Sequence, residues 1–226
     1  MNARAGFWDL VDDEQRAAMT AVGRLRRANA GDVLIRAGDH TRSVVILREG
    51  LVKIVAAGPG GHEVVLAVRV PGDVIGEMAA VDHSPRSASA IALNAVTALW
   101  LDPAAYDRLV SDHPAVSEVL LRVVTARLRH ADGRRVEHRD APTAVRLAAL
   151  LAALVADHGV ATPDGVVVAL HLSQSDLAGL IGASRESVIL ALKEFRDSGV
   201  LSVGRKRLVV HRPDLLAARA QAPGQV

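Results

Sequence analysis

Between residues 23 and 102 the apolar residues come in short runs rather than helical stripes. VLIRAGD, SVVILREGLVKIVAAG, HEVVLAVRV and ASAIALNAVTALWLD are rich in Val, Ile and Leu. Gly31-Asp32, Gly38-Asp39, Glu49-Gly50, residues 58–61 and Pro71-Gly72 punctuate them. Short β-branched runs broken by glycine turns predict an antiparallel roll or barrel. On either side the period is helical. Residues 12–22 (DDEQRAAMTAV) predict a short helix with acids in its first turn, where they favour the helix dipole. Residues 102–110 predict another, with Pro103 tolerated at the first helical position. His113-Pro114 then opens a long helix, in which Val116, Val119, Leu120, Val123 and Leu128 form a stripe close to heptad spacing. The stripe suits either packing on the helix's own roll or, as expected here, the seam of a dimer.

The long helix weakens after Leu128. Residues 129–140 (RHADGRRVEHRD) offer one clear apolar position, Val136, and a mid-helix Gly133, which costs about 0.5–1 kcal/mol relative to alanine. Asp140-Ala141-Pro142 breaks the helix and marks a domain boundary. Beyond it, residues 143–158 (TAVRLAALLAALVADH) predict an apolar core helix, TPDG a turn and VVVALHL a strand. The tail, residues 221–226, is small and polar and is expected to be disordered. The expected organisation is α+β: a roll over residues 1–111, a long connecting helix over 112–140, and a third segment over 141–226.

Composition narrows the function. The 226 residues are half apolar and 2% aromatic, so Val, Leu, Ile and Ala must build the core. No cysteine is present, which excludes disulfides and cysteine-ligated zinc or iron–sulfur centres and fits a reducing cytoplasm. No run of about 18 apolar residues predicts a membrane span, and the charged start has no apolar signal core. Net charge is +2; residues 1–110 hold 12 basic and 13 acidic side chains, and residues 141–226 hold 9 and 7. That excess is too small to argue nucleic-acid binding, so local placement must carry the case.

Local placement does so in the last third of the chain. Ser173 and Asp176 have capping-box spacing. Leu177, Leu180 and Ile181 give one short helix an inward face, Gly182-Ala183 turns, and Ser184 caps a second helix with Val188, Leu192 and Phe195 inward. Two short helices about a glycine turn predict a helix-turn-helix. The second helix begins Arg185-Glu186, at the end that enters the major groove in this motif. Arginine can bond guanine O6 and N7 together, and glutamate can accept from cytosine N4. SVGRKRLVV then predicts a hairpin wing, its tip residues Arg205, Lys206 and Arg207 suited to phosphates.

Residues 72–90, GDVIGEMAAVDHSPRSASA, fit no single helical or strand period. They set Glu77 nine positions before Arg86-Ser87, with small residues and a turn between. An acceptor-only carboxylate opposite a guanidinium and a hydroxyl suits a small anion that carries hydroxyl groups.

Two motifs, GDVIGEMAAVDHSPRSA and GASRESV, together with the order roll, cassette, long helix and winged helix-turn-helix, resemble the CRP/FNR superfamily of bacterial transcription regulators, of the cyclic AMP receptor protein-like, actinobacterial type. The resemblance runs from about Asp12 to Arg212. It implies a cyclic-nucleotide-binding roll, a long dimerisation helix and a DNA-binding domain. The first motif is similar to a phosphate-binding cassette. By that resemblance Glu77 accepts from the ribose 2′-hydroxyl, Arg86 pairs with the cyclic phosphate, and Ser87 with the backbone of Gly76, Glu77 and Met78 completes the cradle. An Arg–Glu ion pair in an unliganded roll is the alternative. DNA contacts are carried over to Ser173, Gln174, Ser184, Arg185, Glu186, Ile189, Leu190, Arg205 and Lys206. The effector is expected to be cAMP, with cGMP as the alternative, and no tightly bound cofactor or metal is expected. The expected partners are a palindromic operator in double-stranded DNA, a second copy through the long helix, and RNA polymerase, in the cytoplasm.

Two departures stand out. A Thr-Ser pair reaches the adenine in cAMP-responsive members; the matching positions, counted back from Arg146, hold Ala131 and Asp132. Asp132 can accept from the adenine amino group, or from guanine N1–H and N2–H together. The third base-reading basic residue of the family is replaced by Leu190, which can touch a thymine methyl but cannot bond a guanine edge. The rival readings are a ligand-independent regulator and, more remotely, a nucleotide-gated signalling protein or enzyme. No nucleophile–base pair supports the last; His158, His171 and His211 are scattered.

Overall fold

The computed structural model describes residues 6–58, 63–168, 172–204 and 207–221; the side chains of 130, 132–140, 157, 158 and 207 also lie outside the description. The chain divides into two units, Met1–Ala131 and Asp132–Val226.

The first unit opens with helices α1 (Phe7–Leu10) and α2 (Asp13–Val22). Asp12 caps α2, accepting from the Gln15 N–H at 2.8 Å, while Gln15 returns an oxygen to the Asp12 N–H. Strands β1 (Arg24–Ala28), β2 (Val33–Ile35), β3 (Val44–Glu49), β4 (Val52–Ala57), β5 (Glu63–Arg69), β6 (Val74–Ile75), β7 (Ser89–Ala92) and β8 (Val96–Leu101) follow, with helix α3 (Glu77–Asp82) between β6 and β7. They form two antiparallel sheets, ordered β1-β8-β3-β6 and β2-β7-β4-β5. Helices α4 (Pro103–Asp112) and α5 (Ala115–Asp140) close the unit, and α5 crosses the division between the two units. Asp102 caps α4 and Pro103 stands in its first turn.

The run VVIL in β3 is buried throughout because the strand packs on both faces. Val45 and Leu47 join Ile35, Val52, Ile75, Ala90 and Ala98 between the sheets. Val44 and Ile46 face the helical layer, with Met19, Leu99, Tyr106 and Leu109. That second cluster corrects the expected seam of α5. Val116, Val119, Leu120 and Val123 are all buried in it, so this stripe belongs to the roll's own core. Of the five residues, Leu128 alone faces outward, at 61% exposure.

Strand β1 was absent from the sequence reading because Arg24, Leu25, Arg26 and Arg27 are all exposed. It is an edge strand held by β8, with the Arg26 guanidinium 5.0 Å from the centre of the Trp100 ring.

The second unit holds α6 (Thr143–His158), β9 (Gly159–Thr162), β10 (Gly165–Val168), α7 (Gln174–Ile181), α8 (Arg185–Asp197), β11 (Leu201–Gly204), β12 (Arg207–Val210) and α9 (Pro213–Ala220). Its sheet runs β11-β12-β10-β9. Val188, Leu192 and Phe195 are fully buried, as the helical period predicts, and α8 packs against α6, whose Leu147 and Leu151 are buried as well. Helix α9 was not anticipated. It is anchored by the buried Leu216 and by Arg219, which pairs with Glu194 and lies over the Phe195 ring.

Candidate effector pocket and DNA-facing helix

The segment from Gly76 to Ser87 is built around a short helix, where the sequence suggested only a loop. Gly76 caps α3 at φ +86°, a left-handed conformation that glycine adopts without steric penalty. A side chain there would also collide: a Cβ would lie 2.6 Å from Arg86 Nη1 and 2.9 Å from Ile35 Cδ1. Helix α3 ends on His83, at φ +58°.

The loop after α3 returns Arg86 to this turn. Its backbone is fixed to the β2–β3 connection, donating to Asp39 O at 2.9 Å and accepting from the Gly38 N–H at 2.8 Å. Its guanidinium is 4% exposed for the whole residue and donates in three directions. Nη1 bonds Gly76 O at 2.7 Å, Nη2 bonds Ser43 O at 2.6 Å, and Nε bonds Thr41 Oγ1 at 3.2 Å. Burial lowers the Arg86 pKa from its ordinary value, while the charges of Glu77 and Asp39 act the other way. The carbonyl bonds hold the cation rigidly at the pocket wall. Five N–H donors leave it capacity for an incoming anion.

Glu77, the first residue of α3, is 8% exposed. Its ion-pair partner is Arg127 of α5; the alternative reading, an ion pair with Arg86, is not the pairing formed. Arg127 Nη1 lies 2.8 Å from Glu77 Oε1, while Nη2 bonds Asp73 Oδ1 at 3.1 Å and Val74 O at 2.9 Å. Sequence reasoning passed over Arg127. The signal was present: Val116, Leu120 and Val123 mark the inward face of α5, and the next residue on that face is an arginine. A cation in an apolar stripe asks for a buried acid.

These groups line one open pocket of about 90 Å³. Glu77, Arg86, Ser87 and Arg127 supply polar side chains, with Gly76 and Met78 beside them. The predicted Gly76, Glu77, Met78, Arg86 and Ser87 are thus brought together. Ala131 is half-buried on α5 and can offer only its methyl group; the Asp132 side chain lies outside the described residues.

In the second unit Ser173 and Asp176 form the predicted capping box, with bonds of 3.1 and 2.8 Å. Gly182 ends α7 at φ +61°, and Ser184 caps α8 by accepting from the Ser187 N–H at 3.1 Å. Arg146 of α6 donates to the carbonyl oxygens of Ile181 and Gly182. It places a cation at the negative end of α7 and steadies the turn between the helices. Arg185 and Glu186 are exposed at the start of α8, and Leu190 stands on the same helix at 68% exposure. Ser173 is exposed, while Gln174 and Ile189 are half-buried. The wing strands β11 and β12 pair from Leu201↔Val210 to Gly204↔Arg207; the tip residues Arg205 and Lys206 lie outside the described residues. Among the described residues no cluster of His, Asp and Glu could hold a metal ion, and no helix is long and apolar enough to cross a membrane.

A roll with an acid–arginine cassette and a winged helix-turn-helix define a class: a cyclic-nucleotide-binding transcription regulator. Family comparison agrees. Residues 25–113 match the cyclic nucleotide-binding domain, and residues 145–219 match the Crp-like helix-turn-helix domain. The chain belongs to the CRP family of transcription regulators. It is 31% identical over 219 residues to the CRP-like cAMP-activated global transcriptional regulator of Mycobacterium tuberculosis, covering 97% of this chain and 98% of the relative. It is 29% identical over 210 residues to the cyclic AMP receptor protein of Thermus thermophilus, covering 93% and 94%. The crystal structure of the Thermus thermophilus catabolite activator protein superposes with a TM-score of 0.53 at 27% identity, covering 95% of this chain and 97% of that one.

Proposed function

We propose that the protein is a homodimeric, cytoplasmic regulator that binds a palindromic operator when a cyclic purine nucleotide occupies the roll. The names of both relatives point to cAMP, and the loss of hydroxyls at Ala131 leaves cGMP open. The observation that carries the reading is the Glu77–Arg127 ion pair, which ties the cassette directly to α5. A ribose hydroxyl donating to Glu77, and a phosphate accepting from Arg86, would bear on the same helix that leads to the DNA-binding unit. The effector must bind the DNA-competent form better than the other form, or no population shifts.

The dimer seam we assign is a different line on α5 from the one first expected. Leu121 is 67% exposed and Leu128 61%, with the half-buried Val124 and Ala131 between and beyond them. Spacings of three, four and three residues are those of a coiled-coil seam. Arg185 and Glu186 would then read a G·C pair in each half-site, with Leu190 against a thymine methyl. RNA polymerase is the partner such a regulator implies.

Titration calorimetry with cAMP and cGMP, followed by operator binding with and without each nucleotide, tests this. Binding is expected, and Arg86→Ala should abolish nucleotide-stimulated DNA binding. Stimulation that survives in Arg86→Ala would assign the roll a scaffold role only.

A further inference from the structure

The cation of the cassette is gripped by a segment outside it. Residues 36–43 connect β2 to β3 and run alongside Arg86. The connection is itself tied down. Gly38 donates to Arg86 O, Asp39 O accepts from the Arg86 N–H, and Ser89 Oγ of β7 accepts from the Ala37 N–H at 2.9 Å. Arg42 reaches other elements: its Nη1 bonds Nδ1 of His83, which closes α3, at 2.8 Å, and its Nη2 lies 3.8 Å from Asp107 of α4. On either side of Arg42, Thr41 and Ser43 bond the Arg86 guanidinium. Thr41 Oγ1 accepts from Nε at 3.2 Å and Ser43 Oγ from Nη2 at 3.3 Å, beside the bonds to the carbonyls of Gly76 and Ser43. Neither Thr41 nor Ser43 lines the pocket, whereas Gly76 and Arg86 do, so the connection holds the cation from behind.

These bonds use up to four of the five N–H groups of Arg86. The second N–H of Nη1, next to Gly76, remains for an anion. A planar group held at three corners presents that N–H in one direction. Two of the corners rest on main-chain oxygens, which no side-chain exchange removes. The third, Nε, rests on the Thr41 hydroxyl. We propose that Thr41 is a positioning residue of the effector site, and that effector affinity depends on its hydroxyl through Nε of Arg86. The proposal rests on the cyclic-nucleotide reading of the same pocket. Without the hydroxyl, the Nε–H of a residue that is 4% exposed loses its acceptor. The guanidinium then turns to recover one and carries the phosphate-facing N–H out of line. Because the effect acts at the phosphate, it is the same for every cyclic nucleotide, whatever the base.

Calorimetric titration of full-length variants with cAMP and cGMP tests this. Thr41→Val, which keeps the shape and removes the hydroxyl, should weaken both nucleotides about tenfold, the scale of one lost hydrogen bond to a charged group. Thr41→Ser, which keeps the hydroxyl, should stay within about twofold of wild type. Arg86→Lys keeps a cation but has no Nε–H. It should bind more weakly than wild type, and adding Thr41→Val to it should cost less than about twofold further. In the effector-free protein the Arg86 Nε–H resonance should exchange slowly with water in wild type and Thr41→Ser, and faster in Thr41→Val. Unchanged or raised affinity in Thr41→Val overturns the proposal, because the hydroxyl then does not aim the cation. An undiminished loss in the Arg86→Lys background also overturns it, by tracing the effect to the loop and not to Nε. Equal Nε–H exchange in all three proteins does the same. If Thr41→Val does not fold, Thr41→Ala deletes the same hydroxyl and is held to the same outcomes. A wild type that binds neither nucleotide overturns the cyclic-nucleotide reading itself.

Discussion

Replacing Arg127 with leucine should destabilise the roll by breaking the link between cassette and long helix. The arginine side chain is 14% exposed, and its partners Asp73 and Glu77 are 17% and 10% exposed. It makes three hydrogen bonds, two of them to carboxylates. Removing one member of a buried ion pair costs about 3–5 kcal/mol, because the remaining charge is left without a partner. Residual water access to this trio reduces the figure to about 2–3 kcal/mol. Leucine adds apolar burial beside Val123 but cannot satisfy two acids. At about 3–5 °C per kcal/mol for a unit of this size, the melting temperature should fall by about 10 °C.

The assay is thermal unfolding, by circular dichroism, of a double-mutant cycle. Glu77→Gln keeps the shape and one acceptor and should cost about 1 kcal/mol, the difference between a charged and a neutral hydrogen bond. The double variant Arg127→Leu, Glu77→Gln should lose about 1 kcal/mol less than the sum of the singles, because the glutamine no longer suffers from the missing cation. Losses that add to within about 0.5 kcal/mol would refute the coupling. So would a single-variant shift below about 2 °C, which would mean that water satisfies both acids and that Arg127 ties nothing to the cassette.

Other perturbations probe the remaining joints. Gly76→Ala puts a methyl 2.6 Å from Arg86 Nη1 at φ +86° and should weaken effector binding at least about tenfold in calorimetry, through displacement of the guanidinium; unchanged affinity would show that the position of Arg86 is not critical. Arg146→Ala removes the cation at the carbonyl end of α7 and should destabilise the winged unit by about 1.5–3 kcal/mol. In fluorescence anisotropy it should lower operator affinity, with nucleotide binding unchanged. Gly133→Ala, inside α5, should strengthen that half of the helix by about 0.5–1 kcal/mol and raise effector-free operator binding by up to about fivefold in gel-shift titrations.

The parts of the molecule that could be read from the chain are those whose logic is local. The capping pair Ser173/Asp176, the glycine turn at Gly182 and the buried triplet Val188, Leu192, Phe195 each follow from residues within a turn or two. Strand β1 was missed because an edge strand with four exposed residues has no apolar alternation; its ladder to β8 lies some 70 residues away. The stripe on α5 was assigned to a dimer because the sequence gives a face but not its neighbour. The helical layer over β3 already claims that face, and only the residues offset from it remain outward.

The pocket divides along the same physical line. Gly76, Glu77, Arg86 and Ser87 lie within twelve residues of one another, so a short segment can encode a cradle for sugar and phosphate. Their anchors are remote: Thr41 and Ser43 hold the guanidinium, and Arg127 holds the acid from 50 residues downstream. The rest of the pocket wall is more dispersed still, with one residue from each of β2, β4, β5, β6 and β7. Each is a plain strand residue in its own segment, and only the register Val52↔Arg69 turns an arginine inward. A local motif can therefore encode the acid and the cation of the cradle, while the wall opposite them exists only once the strands have found their register.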